Sequence, residues 1–454
     1  MSRSFLAYQG SSLLSDLGNS LTMVVLPVLV LQTTGSVVSA GWVAMATGLP
    51  QFLAAIGAGV MLDRVNRRTV AIAGDLASAG SIAGLALIHA TVGLNVGWFI
   101  VFGCLSAIGD VPAMAARETM APGVSELARV DVAKTVAVRS GLTSMAVMAG
   151  PALAGAMIGW GIGGAALWIT ATTSAVAAGL GLLIPRVAGQ IAPSRLADAE
   201  RRRAAKVNPL ALIWREFLDG LRHLGFELPL VRLASLISVV LVCATAVIQG
   251  LAVPFLLISA GQPSRTGITV SVLALGTGLG AGIYGLGHRH LRPRLFGIIG
   301  SVGAVAGAWT LASLPPFWLL LVGSGVLGVG GGLLGALFGT LSVTSPDPAM
   351  RGRVLGNQTG LVLGIAPFAV LGAGFAIDGL GLGETLGLLA ALVTICLIFT
   401  VLSRSWRFAP PPAGLQGGVD AATPLPAEAA LAADAAGPAG DSAPQTANQR
   451  PVGL

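Results

Sequence analysis

The chain alternates long apolar runs with short polar links. Twelve runs of mainly apolar residues lie near 5–32, 36–62, 69–90, 95–117, 134–160, 163–185, 229–258, 266–287, 295–314, 317–343, 354–377 and 383–403. Each is about 20 residues or more, the length that crosses a bilayer. Hydrocarbon offers no partner to a free backbone amide, so runs this long and unbroken predict helices rather than strands. Two stretches depart from the pattern. The link 186–228 holds ERRRAAK and then NPLALIWREFLDGLRHLGF. There Leu210, Ile213, Trp214, Phe217, Leu221 and Leu224 recur at helical spacing, opposite Arg215, Asp219 and Arg222. This spacing predicts an amphipathic helix lying in the membrane surface as an anchor for the link. Residues 405–454, rich in Ala, Pro and Gly with scattered acids, read as a disordered tail. The expected fold is therefore all-α, a polytopic membrane protein of twelve transmembrane helices. Its expected parts are a six-helix bundle over 1–185, the linker 186–228, a second bundle over 229–404 and the tail.

Composition agrees with that reading. Of 454 residues, 54% are hydrophobic and 10% charged, against roughly 25% charged in an average soluble domain. So few charges cannot coat a water-facing surface, and the mean hydropathy of +0.84 points the same way. The first run lacks a small-residue cleavage site and is expected to be a retained helix. Cys104, Cys243 and Cys396 fall inside apolar runs and read as small buried hydrophobes without a disulfide.

The basic residues are asymmetric. Arg64, Arg67 and Arg68 follow the second run, and Arg117, Arg129, Lys134 and Arg139 surround the link after the fourth. Arg186 to Arg222 follow the sixth, Arg289, Arg292 and Arg294 the eighth, Arg351 and Arg353 the tenth, Arg404 and Arg407 the twelfth. The alternate links hold a single basic residue, Arg265. This pattern predicts a multi-pass protein of the cell membrane with both termini cytoplasmic.

One of those links carries more than arginines. Residues 59–68 read GVMLDRVNRR, and its acid, Asp63, has no use in setting topology. The corresponding place in the second half reads GLGHRHLRPR, with Arg289 at the acid's position. AGPALAG, 149–155, is echoed by IAPFAVLG, 365–372, with Pro151 and Pro367 at matching depths. The first stretch resembles the loop signature G-x-x-x-D-R-x-G-R-R of the major facilitator superfamily, matched at Gly59, Asp63, Arg64, Arg67 and Arg68. Asn66 stands where that family usually has Gly, and Asn tolerates left-handed backbone. Gly150, Pro151 and Gly155 resemble the family's antiporter motif G-P-x-x-G-G, with Ala154 in place of one glycine. SPDPAMRGRVLG, 345–356, and ARETMAPGVSELARV, 116–130, are similar to its enterobactin-exporter and macrolide-efflux-like branch.

The resemblance implies two six-helix bundles that rock around a midplane site, lined by spans one, four, seven and ten. It also implies that the loop 59–68 joins span two to span eleven in the outward-open state. Asp63 then faces the positive side of a neighbouring helix end. The three arginines are open to two readings, topology alone or a share in that latch.

Charges within spans cost roughly 2.5–3.5 kcal/mol each on insertion scales, so each needs a reason. In span one Ser12, Asp16, Asn19 and Met23 share a face; in span four Ser106, Asp110, Met114 and Arg117 do. Asp16 and Asp110 read either as proton-coupling groups or as helix-locking polar contacts, with Arg117 a partner for Asp110. Asp75, near Arg68, reads as a structural ion pair. The second half offers Ser238, Thr245 and Gln249 in span seven and Tyr284 in span eight. Span ten, VGSGVLGVGGGLLGALFG, has small-residue spacing that suits close helix packing.

A cavity with one acidic and one apolar, weakly polar wall suits a lipophilic or amphiphilic solute, neutral or cationic. The expected function is proton-coupled export of such a molecule by a monomer, its partners being substrate, protons and the bilayer. An uptake permease or a passive facilitator remains open. An intramembrane enzyme would need a nucleophile, paired acids or a metal cluster, and none stands out. GTGLGAG, 276–282, lacks the strand a dinucleotide loop requires, there is no P-loop, and HRH, 288–290, is too isolated for a metal. No cofactor, metal or nucleic acid is expected.

Overall fold

The computed structural model describes residues 2–62, 64–190, 229–288, 290–344, 351–403 and 406. The described chain is helical, and twelve of its helices are long and apolar enough to cross a membrane. Spans one to six are Arg3–Thr34, Val37–Leu62, Arg67–Thr91, Val96–Ala128, Val132–Gly159 and Gly163–Leu182. Span seven is Pro229–Val247, continued by a π-helical turn, Ile248–Ala252, and a last helical piece, Val253–Ser259. Spans eight to twelve are Arg265–Gly287, Pro293–Ala312, Phe317–Thr344, Arg351–Leu380 and Leu382–Leu402. The amphipathic stretch 208–224, the tail, Asp63 and Arg289 lie outside the described residues.

Eleven of the spans begin and end within three residues of the expected places. The fourth does not. Hydropathy ends it at Arg117, but the helix runs on to Ala128. Arg117 is therefore interior to a helix and only 3% exposed, rather than part of a basic link. Asn66 also departs from expectation. It sits at φ −55° as the N-cap of span three, its side chain accepting from the Arg68 backbone N–H at 3.0 Å. A capping Asn satisfies a free helix N–H, and no left-handed residue is needed there.

Spans one to six pack chiefly on one another, span one against five and six, span three against four and six. Spans seven to twelve do the same, with span ten held between eight and nine. The small-residue stripe of span ten is packing surface, as its spacing predicts. A Cβ at Gly332 would lie 2.0 Å from the Thr277 carbonyl oxygen, and one at Gly330 2.3 Å from the Ala304 nitrogen. GTGLGAG thus lies within a helix against span ten.

The two groups of helices touch mainly where span two meets eleven and span five meets eight. These contacts crowd toward the arginine-poor end. Trp42 meets Phe375 edge to face, and a Cβ at Gly48 would lie 2.1 Å from the Pro367 Cγ. One buried apolar cluster crosses the junction, joining Val28 and Leu31 of span one and Val37 and Val43 of span two to Leu251, Val270 and Ile377. Toward the other end the two groups enclose a cavity whose lining reaches Ile237 of span seven and Phe338 of span ten.

Candidate functional site

A cavity of about 550 Å³ lies between the two groups. Its first wall comes from Met23 of span one and from Thr143, Ser144, Val147, Met148 and Pro151 of span five. Its second comes from spans seven, eight and ten, with Ser238, Thr245, Gln249 and Thr277 as polar points among Leu, Val and Gly. The π-turn brings Gln249 into this wall. Such turns recur at functional sites. Pro254 has no amide hydrogen to continue the ordinary helical ladder there.

The sequence places some of these residues correctly and others not. Ser238, Thr245 and Gln249 line the cavity as expected. Tyr284 does not: it is 8% exposed and packs on Phe296 and His288 within the second-half core. Asn19 is exposed one turn from Met23, on the expected face. Asp16 is half-buried, and the Thr143 hydroxyl donates to its Oδ2 at 2.6 Å. The acid thus stands one residue behind the wall, reached through Thr143. Thr143, Val147 and Pro151 recur every four residues, a periodicity that would have marked this face.

Span four supplies no residue to the cavity wall. Asp110 and Arg117 point instead into the interface with span three, which corrects their expected place beside substrate. A Cβ at Gly74 would lie 2.4 Å from the Gly109 carbonyl oxygen, so the two helices meet backbone to backbone. Asp75 and Asp110 each follow one of these glycines. Arg117 pairs with Asp75, not Asp110, and both are 3% exposed. The Ser15 hydroxyl donates to Asp75 Oδ1 at 3.0 Å, and the Tyr8 hydroxyl to the Arg117 carbonyl at 2.8 Å. Asp110 Oδ2 accepts from Ser106 at 2.9 Å, and Ser106 shares a 3.1 Å hydrogen bond with Ser78. Asp75 is therefore an ion-paired residue, but its partner is Arg117 rather than Arg68. Arg68 instead donates to the carbonyls of Gly181 and Leu182, at 3.1 and 2.8 Å.

In the loop 59–68, Gly59 belongs to span two, Arg64 is exposed and Arg67 donates to the Thr119 carbonyl at 3.0 Å. Asn66 donates to the Arg186 carbonyl, which ties the loop to the end of span six. The antiporter-like motif lies at helix crossings. A Cβ at Gly150 would be 2.5 Å from Ser20 Cβ; one at Gly155 would be 2.5 Å from the Ser264 carbonyl oxygen. Gly267 is tighter still, its Cβ position 2.0 Å from the Pro151 carbonyl oxygen. The motif thus lets span five lie against span one and span eight together. In the second half, Gln358 donates to Ser235 and Ser342 at 2.7 and 2.8 Å, joining spans eleven, seven and ten. Three residues from three helices leave no local signal in sequence. Among the described residues no group of three metal-ligating side chains occurs.

Comparison with known proteins agrees with this architecture. The chain is 29% identical over 378 residues to the multidrug efflux pump Tap of Mycolicibacterium fortuitum, covering 83% of this chain and 89% of that protein. It is 28% identical over 393 residues to the multidrug efflux pump Tap of Mycobacterium tuberculosis, covering 85% and 90%. Among solved structures, a mutant of the nucleoside transporter NupG superposes with a TM-score of 0.72 at 14% identity, covering 88% of this chain and all (100%) of that one. The xylose transporter XylE of E. coli in an inward open conformation gives 0.64 at 16% identity, covering 90% and 96%. The family model of the Major Facilitator Superfamily matches residues 10–356, and the chain belongs to that superfamily.

Proposed function

We propose that this protein exports lipophilic or amphiphilic small molecules, neutral or cationic, in exchange for protons, by alternating access as a monomer in the cell membrane. The observation that carries the reading is the central cavity. Among the described residues its wall holds no charge and six scattered polar points, with an acid one residue behind it at Asp16. A sugar or dicarboxylate needs many hydrogen-bond partners or arginines, and this wall offers neither. The relatives named multidrug efflux pumps support the same direction.

With the arginine-rich end cytoplasmic, as the basic links favour, the structure is the inward-open state. The crossing of spans five and eight then seals the outer side. Asp110 is the proton carrier in this reading, with Asp16 coupling the cavity to it. Asp110 accepts from the Ser106 hydroxyl, while the cation of this interface, Arg117, is paired with Asp75. A proton entering down the potential supplies roughly 2.3 kcal/mol per 100 mV, before any pH term.

The test uses the purified chain in liposomes with an imposed pH gradient and ethidium, a lipophilic cation, as probe. Gradient-driven ethidium accumulation that a protonophore abolishes is expected. Flux that only runs down the ethidium gradient, indifferent to the protonophore, would replace export by facilitation.

A further inference from the structure

The hydroxyls of the central cavity spend their hydrogens elsewhere. Ser144 donates to the Ser140 carbonyl at 2.9 Å, Ser238 to that of Ala234 at 2.8 Å and Thr277 to that of Leu273 at 3.0 Å. Thr245 donates to the carbonyls of Leu241 and Val242, each at 3.0 Å. Thr143 gives its hydrogen to Asp16 Oδ2. A hydroxyl has one hydrogen and two lone pairs, so each of these five side chains has only lone pairs left for a solute.

The backbone of the wall adds no donor. Its residues lie in helices, where N–H groups are spent on the carbonyls of the preceding turn. It adds an acceptor instead. Pro151 has no amide hydrogen, so the Val147 carbonyl lacks its usual helical donor. The thioethers of Met23 and Met148 are weak acceptors as well. Gln249 is the exception. Its side-chain amide has no hydrogen-bond partner among the described residues, and it carries donors as well as an acceptor.

Acceptors thus face the cavity from span five on one side and from spans seven and eight on the other. A solute donor that leaves water finds a lone pair on either wall. A solute acceptor finds Gln249 alone, and each further one stays unmatched, which is costly away from water. Thr143 is the strongest acceptor of the set, because a hydroxyl that donates its own hydrogen is polarised toward accepting another.

We propose that this cavity selects solutes by their hydrogen-bond donors: it takes amphiphiles whose polar groups are N–H or O–H, such as aromatic amines, protonated amines and phenols, over those with only carbonyls, ethers or a fully alkylated nitrogen. This deepens the export reading and rests on it.

The test is equilibrium binding to the full chain in detergent micelles, with no gradient. Ethidium carries two aromatic amino groups and a fixed positive charge. Its analogue without those amino groups keeps the rings, the alkyl group and the charge, but has no N–H. After correction for partition into micelles, ethidium should bind about tenfold more tightly. The double variant Thr245→Val/Thr277→Val keeps the side-chain shape and removes two acceptors, so the ratio of the two affinities should fall to about threefold or less. Thr245→Ser/Thr277→Ser should restore it. A wild-type ratio near one, or in favour of the analogue, overturns the proposal. So does an unchanged ratio in the valine variant, or a failure of the wild type to bind either cation. The export reading fails separately, in the liposome assay, if a chain that binds ethidium moves it only down its own gradient.

Discussion

The two halves of this transporter solve the same packing problem with different material. Spans one to six bury Asp75 and Arg117 and hold Asp16 and Asp110 through hydroxyls. Spans seven to twelve keep charge at their ends and pack backbone on backbone, as at Gly332 against Thr277 and Gly330 against Ala304. Their main inter-helix polar link, Gln358 with Ser235 and Ser342, is neutral. One half thus carries the buried acids and their cation, the other a neutral set of helices packed through glycines. If that division is real, equivalent insults to the two halves should have unequal effects.

The largest difference should come from deleting polar partners. Arg117→Ala leaves Asp75 buried without its cation, and breaking one side of a buried pair costs about 3–5 kcal/mol. Gln358→Leu removes two neutral hydrogen bonds that the amide donates to the Ser235 and Ser342 hydroxyls, at about 1 kcal/mol each. Thermal unfolding in detergent should show Arg117→Ala as much the less stable of the two, with Asp75→Asn/Arg117→Gln recovering most of the loss. Equal melting temperatures for Arg117→Ala and Gln358→Leu would erase the contrast.

A second insult targets the seam between the halves. A side chain at Gly267 collides with the Pro151 carbonyl, so Gly267→Val should disfavour closure of spans five and eight by about 1–3 kcal/mol. Spin labels at Ser36 and Gln262, both in arginine-poor links of opposite halves, should then lie farther apart than in the wild type. An unchanged distance distribution would mean that this crossing is not the seal.

Most of the fold is legible in sequence because hydrocarbon length and arginine asymmetry act on every span alike. The fourth span is the exception. Hydropathy falls at Arg117, while the helix continues because a charge can be buried if a partner waits on another helix. That partner, Asp75, is 42 residues away, and helical spacing reports only neighbours on the same helix. Asp110 and Arg117 therefore read as a pair, and Asp75 reads as a partner of Arg68. Ser238, Thr245 and Gln249 were readable because one helix carries all three. Tyr284 departs from its expected place because a tyrosine in an apolar span serves a core as well as it serves a cavity.

The smallest expected effect concerns the latch at the loop 59–68, where Asp63 faces a helix end in the resemblance-based reading. Such a charge is worth about 0.3–1 kcal/mol, so Asp63→Asn should slow ethidium export about two- to fivefold, with membrane insertion intact. Wild-type rates would leave the loop with topology alone.

The division of labour between the halves stands or falls on the acids of the first. In proteoliposomes with an imposed pH gradient, ethidium binding and gradient-driven ethidium accumulation are measured side by side for Asp16→Asn, Asp110→Asn and the double variant. Each single variant is expected to bind ethidium and to lose accumulation, since the solute wall is intact and the proton site is not. Normal accumulation in both single variants and in the double variant would contradict proton coupling through these two residues.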